Sequence, residues 1–380
     1  MTDPQGHHIH PIGDSLGQEA DALIHPEEPV EVPPAEQMSL IRRLRQPRTV
    51  LSIAVPLAII VIAIYLNGKS LSEVPGYIAR ANLWFLAAAF GSYYLGFPLR
   101  GRRWSILLRG AGYRVSTRDA TEIIFLSWLV NCVVPAKLGD IYRAYLLKLN
   151  SPVSATRTLG TVFIERILDL FAIAILGMAA GYVRFRGSLG DLPVAVQVIF
   201  ALGVVLVALL AVGLVVLRNF GRRLITSLPL SGRVVELYDR FEEGVFNSVG
   251  LRGLPWLGLL TGLIWATEAL RLYFVIQALG FGDLGLGLSG ILFVALIGSL
   301  LTAVPLTPAG LGAVEGGVYG VLVTVFGIAG AQATAILLVD RALSVFSVVI
   351  LGSLAYLISS KPRGGGIKVE EVASAPGSAG

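Results

Sequence analysis

The stretch Asn131-Cys-Val-Val-Pro-Ala-Lys-Leu-Gly-Asp-Ile-Tyr-Arg143 interrupts an apolar segment with polar residues. The apolar part, Ile123 to Pro135, makes roughly 20 Å of helix, against a hydrocarbon core of roughly 30 Å. If it crossed the membrane, the basic residues after it would lie outside, against the preference of Lys and Arg for the cytoplasmic side. The pattern therefore predicts a re-entrant helical hairpin over residues 121–150, entering and leaving by one face.

A second broken stretch, Ala303-Val-Pro-Leu-Thr-Pro-Ala-Gly-Leu-Gly-Ala-Val-Glu315, predicts a second hairpin that joins Leu288–Pro305 to Gly316–Ile328. Each broken stretch is followed by an apolar run with an acid-arginine pair near its start, Glu165-Arg166 and Asp340-Arg341. The ordered recurrence of Arg, Val-Pro, Gly-acid and acid-Arg indicates two repeats, about 46–183 and 190–358. Their opposite starting faces predict inverted repeats, as in secondary transporters.

The composition is that of an integral membrane protein, because 54% of the 380 residues are hydrophobic and 14% are charged. Arginines before the first apolar run and lysines and arginines after the last one place both termini in the cytoplasm. The sequence thus predicts an all-α membrane protein with about six transmembrane helices and two re-entrant hairpins. The predicted full spans are Val50–Leu66, Leu83–Leu99, Gly160–Val183, Leu192–Leu217, Leu254–Leu279 and Ala331–Ile358.

The polar segments suggest tails and one loop around a membrane domain of residues 46–360. Residues 1–45 and 361–380 are predicted to be disordered cytoplasmic tails, and Arg218–Arg252 a cytoplasmic loop that is partly amphipathic helix. Arg100, Arg102 and Arg103 are interpreted as the cytoplasmic exit of the second span. The single cysteine, Cys132, excludes an internal disulfide, and no metal is expected. The absence of Walker, nucleophile-elbow and dinucleotide motifs argues against ATP-driven transport and familiar hydrolytic or redox chemistry, so no cofactor is expected.

Ionisable residues inside the apolar runs are the candidates for a functional site, because each costs on the order of 3 kcal/mol at the bilayer centre. Glu268 and Arg271 lie three residues apart and can pair directly. Asp340 and Arg341 point in different directions on a helix and need partners elsewhere. The candidate substrate-binding residues are Arg100, Lys137, Asp140, Arg143, Glu165, Arg166, Asp169, Glu268, Arg271, Glu315, Asp340 and Arg341.

Two interpretations of these residues remain open. They are ion pairs that lock helices together, or they form a site for an anionic group such as phosphate. Three guanidinium groups, Arg166, Arg271 and Arg341, around two broken helices favour the second interpretation. Lys137 belongs either to the cytoplasmic entrance of such a site or to a solvated loop at the lipid headgroups.

Three motifs resemble those of the family named for the transmembrane region of lysylphosphatidylglycerol synthase, also described as flippase-like. They are Val134-Pro-Ala-Lys-Leu-Gly-Asp-Ile-Tyr-Arg143, Glu165-Arg-Ile-Leu-Asp169 and Pro308-Ala-Gly-Leu-Gly-Ala-Val-Glu315, and the resemblance covers about residues 45–358. The chain departs from the family pattern at Ala309-Gly310, where a glycine pair is typical, and at Asp340, where an aromatic or aliphatic residue is frequent.

The resemblance implies lipid handling. In the full-length synthases this region moves an aminoacylated lipid across the membrane, and a separate soluble domain transfers the aminoacyl group. It therefore implies a translocator in the cell membrane without synthase activity. The expected substrate is an anionic or zwitterionic phospholipid or a polyprenyl-linked lipid.

Two other classes of function stay open. One is a membrane-embedded transferase or accessory factor in lipid-linked glycan synthesis, with Glu165, Asp169 or Asp140 as a base. The other is a non-catalytic scaffold of an envelope-synthesis complex. The expected partners are membrane lipids, with a homodimer or an envelope-synthesis partner as further possibilities, and no nucleic acid.

Overall fold

The computed structural model describes residues 72–134, 137–185, 194–227, 231–250, 252–303, 308–367 and 369–371. The predicted N-terminal tail and first span, Val50–Leu66, lie outside these residues. The helices are α1 (Val74–Ala79), α2 (Leu83–Gly110), α3 (Thr117–Val133), α4 (Leu138–Asn150), α5 (Ala155–Arg184), α6 (Val194–Ser227), α7 (Gly232–Phe246), α8 (Leu254–Ala278), α9 (Gly287–Ala303), α10 (Ala313–Gly320), α11 (Gly330–Arg341) and α12 (Ser347–Ile358). The prediction of a largely helical membrane protein is confirmed.

Helix α2 continues well past its predicted end at Leu99. It begins after Asn82, whose side-chain oxygen accepts the backbone N–H of Trp84, and it ends at Gly110. The interpretation of Arg100 and Arg103 as a cytoplasmic exit is wrong, because both are buried within this helix. The apolar residues beyond Arg103 provide the core contacts that keep the chain helical there.

The chain breaks where the two polar stretches predicted breaks. Helix α3 ends at Val133 and α4 begins at Leu138, while α9 ends at Ala303 and α10 begins at Ala313. The first helix of each pair has 17 residues and the second has 13, counting the π-helical turn Val321–Val325 that continues α10. Each pair packs together. Entry and exit by one membrane face stays a prediction.

The order of helix lengths repeats along the chain. Helices α2 to α5 run long, short, short, long, and so do α8 to α12, where α11 and α12 join through the π-helical turn Ala342–Phe346. Packing between the halves is reciprocal. Helix α2 packs on α8, its counterpart in the other half. Helix α5, the last long helix of the first half, packs on α9 of the second half, and α12, at the end of the second half, packs on α3 of the first half. The helix order and the packing thus relate the two halves, while the repeat boundaries and the inverted orientation stay predictions.

Three described helices are long and apolar enough to cross a membrane by composition, Gly203–Ser227, Leu254–Ala278 and Gly330–Ile358. The first of these presents apolar side chains such as Val204 and Leu209 outward along most of its surface. Helices α2 and α5 have 28 and 30 residues and are about as long as these three, but they carry buried charges. The count of six spans stays a prediction.

Two polar segments contain ordered structure. Helix α7 occupies 15 residues of the predicted loop and is amphipathic, as expected there. The start of the predicted C-terminal tail is folded: Lys361–Arg363 forms a 3-10 turn, and Glu370–Glu371 pairs antiparallel with Tyr113–Arg114. The prediction of disorder from residue 361 onward is therefore wrong for residues 361–367 and 369–371. The Gly-rich composition does not reveal specific contacts such as the 2.8 Å pair of Lys361 with Asp119.

Candidate functional site

A cavity of about 370 Å³ lies between the two repeats. Its wall combines charged and aromatic side chains with apolar ones, among them Val294, Val318 and Ile336 of α9, α10 and α11. Nine of the twelve predicted residues line it: Arg100, Lys137, Asp140, Arg166, Asp169, Glu268, Arg271, Asp340 and Arg341. The sequence therefore brings most of its intramembrane charges to one place.

In the first repeat, two residues of α5 each form a close pair with a charged residue of another helix. Arg103 donates two hydrogen bonds to Asp169, at 2.6 and 3.0 Å. Arg166 donates two to Asp140 on α4, at 2.9 and 3.0 Å. A two-bond guanidinium-carboxylate pair fixes both side chains in orientation as well as in distance.

The second repeat contains the same two pairs on corresponding helices. Arg271 on α8 lies 3.0 Å from Asp340 on α11, and Arg341 lies 2.8 Å from Glu315 on α10. The second oxygen of Glu315 accepts the backbone N–H of Gly312 at 2.6 Å. The expectation that Asp340 and Arg341 find partners on other segments is confirmed. The correspondence between the two halves thus includes which helix supplies the carboxylate of each pair and which supplies the arginine.

Further pairs extend these sets, and the described ion pairs around the cavity then form three groups. Glu268 bridges Arg100, at 2.7 Å, and Arg271, at 3.2 Å, so the predicted pairing of Glu268 with Arg271 is present. Glu165 lies 3.0 Å from Arg143 and 3.3 Å from Arg103. Arg143, Glu165 and Glu315 do not line the cavity and support its wall from behind. In total, six arginines meet six carboxylates.

Aromatic rings pack against three of the guanidinium groups that line the cavity. The Trp128 ring lies 4.9 Å from the guanidinium carbon of Arg100 and 5.8 Å from that of Arg166. Tyr93 lies 5.1 Å from that of Arg271. Such faces attract cations and shield them from lipid. Sequence reasoning did not place Arg103, Tyr93 or Trp128 in this site. Arg103 could have been found, because it lies three residues after Arg100 on the same helix face.

Lys137 stands at the junction of α3 and α4 and lines the cavity. Its backbone is left-handed, with φ 51° and ψ 35°. Among the described residues, no carboxylate forms an ion pair with its ammonium group, although Asp140 and Asp169 lie near enough to interact electrostatically. It is therefore the cation of the cavity that the ion pairs leave unmatched.

Close packing at Gly139 holds α3 and α4 together next to Lys137. The Gly139 N–H donates to the side-chain oxygen of Asn131 at 2.9 Å. A Cβ at this position would overlap the carbonyl oxygen of Ser127 and the side chain of Asn131. Glycine is therefore needed for this approach. In the part of the chain that the structure describes, no three side chains of metal-binding type come together.

The model of the family described as lysylphosphatidylglycerol synthase TM region matches residues 50–352, which include every helix of this site. The chain belongs to this family. The family resemblance of the three motifs is thereby confirmed, and with it the assignment as a membrane protein. The family match spans helices α1 to α11.

Curated relatives support the same assignment. A UPF0104 membrane protein of Methanocaldococcus jannaschii is 36% identical over 231 residues, which cover 60% of this chain and 93% of that protein. A UPF0104 membrane protein of Methanothermobacter thermautotrophicus is 27% identical over 71% of this chain and 82% of its own length. Glycosyltransferase AglD of Haloferax volcanii is 28% identical over 80% of this chain, and the match covers 53% of that protein.

Proposed function

We propose that this chain binds a membrane lipid by its headgroup in the central cavity and moves it between the two faces of the membrane. The observation that supports this function is the mixed cavity wall, in which paired charges and apolar side chains face the same space. A lipid combines the same two kinds of chemistry. A polar headgroup would contact the charged residues, and its hydrocarbon chains would contact the apolar ones.

The ion pairs suit a site that binds and releases a charged group. Each cavity-lining arginine already has a carboxylate partner, so none is left as a bare charge in lipid when the site is empty. A headgroup phosphate would compete with a carboxylate for the same guanidinium donors. The reciprocal pairs Arg166–Asp140 and Arg341–Glu315 offer one such exchange in each repeat.

The proposal includes a topology. Six spans and two re-entrant hairpins in inverted repeats would place one hairpin toward each face of the cell membrane, with both termini in the cytoplasm. Opening would alternate between the hairpins, while the headgroup stays near the midplane. Membrane lipids are thus the partners of this function, and no cofactor takes part.

Lipid retention during purification tests the proposal. Native mass spectrometry of the wild type should reveal a retained lipid that both Arg166→Ala and Arg341→Ala release. Arg102→Ala is the matched control, because Arg102 is exposed on the same helix as Arg100 and Arg103. Retention unchanged in both cavity variants, with lowered melting temperatures, would make the arginines structural braces and contradict the proposal.

Translocation needs its own assay. Reconstituted wild-type protein should accelerate the redistribution of a labelled lipid across vesicle bilayers, and Arg166→Ala should slow it. No redistribution for any headgroup class, from folded protein that retains lipid, would limit the function to lipid binding.

A role in lipid-linked glycan synthesis is the second candidate, and the similarity to a relative named as a glycosyltransferase favours it. The carboxylates that could act as bases, Asp140, Glu165 and Asp169, all accept hydrogen bonds from arginines. A general base needs a free lone pair facing its substrate. An accessory role that supplies a lipid-linked sugar is therefore preferred over transfer itself. Product formation by purified protein from a lipid-linked donor, abolished by Asp140→Asn, would reverse this preference.

A further inference from the structure

The charge balance of the cavity is uneven by one cation. Arg100, Arg103, Arg143, Arg166, Arg271 and Arg341 are matched by Asp140, Glu165, Asp169, Glu268, Glu315 and Asp340. Lys137 adds one positive charge to this neutral set, and no described carboxylate pairs with it. A charge within a low-dielectric wall is costly without a partner. The cavity therefore has room for one negative charge.

The backbone at Lys137 supports a ligand role rather than a packing role. With Gly139 aligned to Gly312, Lys137 corresponds to Gly310, and both residues have positive φ, 51° and 72°. Glycine adopts this conformation freely, whereas a residue with a Cβ is strained there. The first repeat thus carries a lysine at a turn where the second repeat has the better-suited glycine. Strain of this kind is concentrated at functional sites.

Two arginines lie in the same cavity wall as Lys137. Arg100 and Arg341 both line this cavity. Each is held by a carboxylate, Glu268 at 2.7 Å and Glu315 at 2.8 Å, and a guanidinium group carries more N–H donors than one such pair uses. A group with several acceptor oxygens would meet the Lys137 ammonium in a wall that also contains these guanidinium groups.

We propose that the cavity selects a phosphodiester carrying one net negative charge, with Lys137 supplying its countercharge. This inference rests on the proposed function and names its substrate class: an anionic rather than a zwitterionic lipid headgroup. A compact ammonium binds phosphate as a point charge, and guanidinium groups in the same wall offer donors for the phosphate oxygens. The same chemistry would accept free phosphate, but the apolar side chains of the cavity favour the lipid.

Competition between two lipids tests the selectivity. Full-length protein in neutral detergent is titrated with equimolar phosphatidylglycerol and phosphatidylcholine of identical acyl chains, and bound lipid is counted by native mass spectrometry. The wild type should prefer phosphatidylglycerol about tenfold, the effect of one charge-assisted contact. Lys137→Gln should abolish this preference and Lys137→Arg should retain it. Lys148→Gln, which removes an equal charge outside the cavity, should behave as the wild type does.

A third variant separates binding from folding. Lys137→Gly places the residue of the second repeat at this turn, so its melting temperature should equal or exceed that of the wild type while the preference disappears. Free phosphate and glycerol phosphate at millimolar concentration form a further arm. Failure of both to displace phosphatidylglycerol supports the lipid, and displacement by either one overturns the lipid assignment.

The outcomes distinguish this inference from the proposed function. Equal binding of both lipids, lost from both in Arg166→Ala, overturns the charge selectivity and leaves the lipid site in place. A preference that survives in Lys137→Gln also overturns the role of Lys137. Binding of neither lipid, under conditions where the protein stays folded, contradicts the proposed function itself.

Discussion

Arg103 is enclosed by two carboxylates and by the Thr261 hydroxyl, to which it donates at 3.0 Å. Arg103→Ala would leave Asp169 and Glu165 with reduced compensation in a buried site. Removing one partner of a buried ion pair costs about 3–5 kcal/mol. We expect Arg103→Ala to lower the melting temperature sharply in detergent, while Arg102→Ala, one residue away and exposed, leaves it nearly unchanged. Similar melting temperatures for the two variants would mean that Arg103 is not a brace.

The two reciprocal pairs should also behave alike energetically. In double-mutant cycles, Asp140→Ala with Arg166→Ala and Glu315→Ala with Arg341→Ala should each give a coupling of about 1–3 kcal/mol. The physical reason is that both pairs join a hairpin helix to the helix after it at similar distances. Denaturant unfolding in micelles measures both. Coupling in one cycle and none in the other would refute the energetic equivalence of the repeats.

Individual charges were predictable from the sequence, but their partners were not. Glu165, Arg166, Asp340 and Arg341 stand out because charge is rare in apolar runs. Arg103 does not stand out, because it lies among other arginines that resemble a cytoplasmic loop. The partner of each charged group depends on which helices pack together, and the sequence alone does not show that packing. Only the pairs three residues apart on one helix, Glu268–Arg271, Arg166–Asp169 and Asp140–Arg143, follow from helical spacing alone.

At the scale of elements, the α3–α4 hairpin depends on a glycine contact. Gly139→Ala would press a methyl group into the Ser127 carbonyl and force the two helices apart. We expect a loss of about 1–3 kcal/mol, the usual cost of overpacking. The matched control is Gly316→Ala on α10, where an added Cβ meets nothing within 4 Å. There alanine should be neutral or stabilising, because glycine weakens a helix interior.

Thermal unfolding of the two glycine variants decides between them. An equal loss of stability at Gly139 and Gly316 would show that helix propensity, not the close approach, controls this region. Loss at Gly139 alone would also be expected to change lipid binding, since the shifted α4 carries Lys137 and Asp140 at the cavity.

Breaks in the helices were easier to predict than their ends. The polar stretches after Val133 and Ala303 are visible as interruptions of apolar runs, and the structure breaks at both. The end of α2 was missed by eleven residues, because hydropathy reports what lipid would tolerate and not what a protein interior can pair. A hydropathy scan does not detect the part of a helix that buries its arginines against neighbouring carboxylates.

At the scale of the whole molecule, the C-terminal segment connects α12 to the first hairpin. Lys361 lies 2.8 Å from Asp119 at the start of α3, and Asn150 at the end of α4 donates to the Lys361 carbonyl at 2.8 Å. The Ile367 N–H donates to the Asn150 carbonyl at 2.8 Å. Both helices of the first hairpin are thus held by residues that follow the second repeat.

This connection should depend on pH. Partial burial raises the pKa of Asp119, but hydrogen bonds from Lys361 and Ser116 outweigh it and leave that pKa below its ordinary value of 3.8. Because the pKa of the folded form is depressed, the pair stabilises the fold fully above pH 3.8 and loses this contribution as pH falls through the lower value. The pair is partly exposed, so its contribution is about 1 kcal/mol or less.

Hydrogen exchange at neutral pH checks this contribution without acid. Asp119→Asn should raise the exchange rate of the amides in residues 359–367 by up to about fivefold, consistent with a surface ion pair. Asp283→Asn, which removes an exposed carboxylate between α8 and α9, should not change that rate. Equal protection in the wild type and Asp119→Asn would mean that Lys361 is held by its other contacts.

The π-helical turn Val321–Val325 affects how the two halves of the molecule can be compared. From Gly139 to Gly312 the repeats are offset by 173 positions, since 312 minus 139 is 173, but from Glu165 to Asp340 the offset is 175. The second half therefore contains two additional residues between these landmarks. The turn at Val321–Val325 lies in that interval and widens the helix by about one residue per turn relative to an α-helix. The corresponding helices Leu138–Asn150 and Ala313–Val325 each have 13 residues, so neither extra residue lengthens the helix, and the turn changes only its rotational phase. Superpositions of the halves will lose their rotational phase at this turn unless a gap is allowed within the helix.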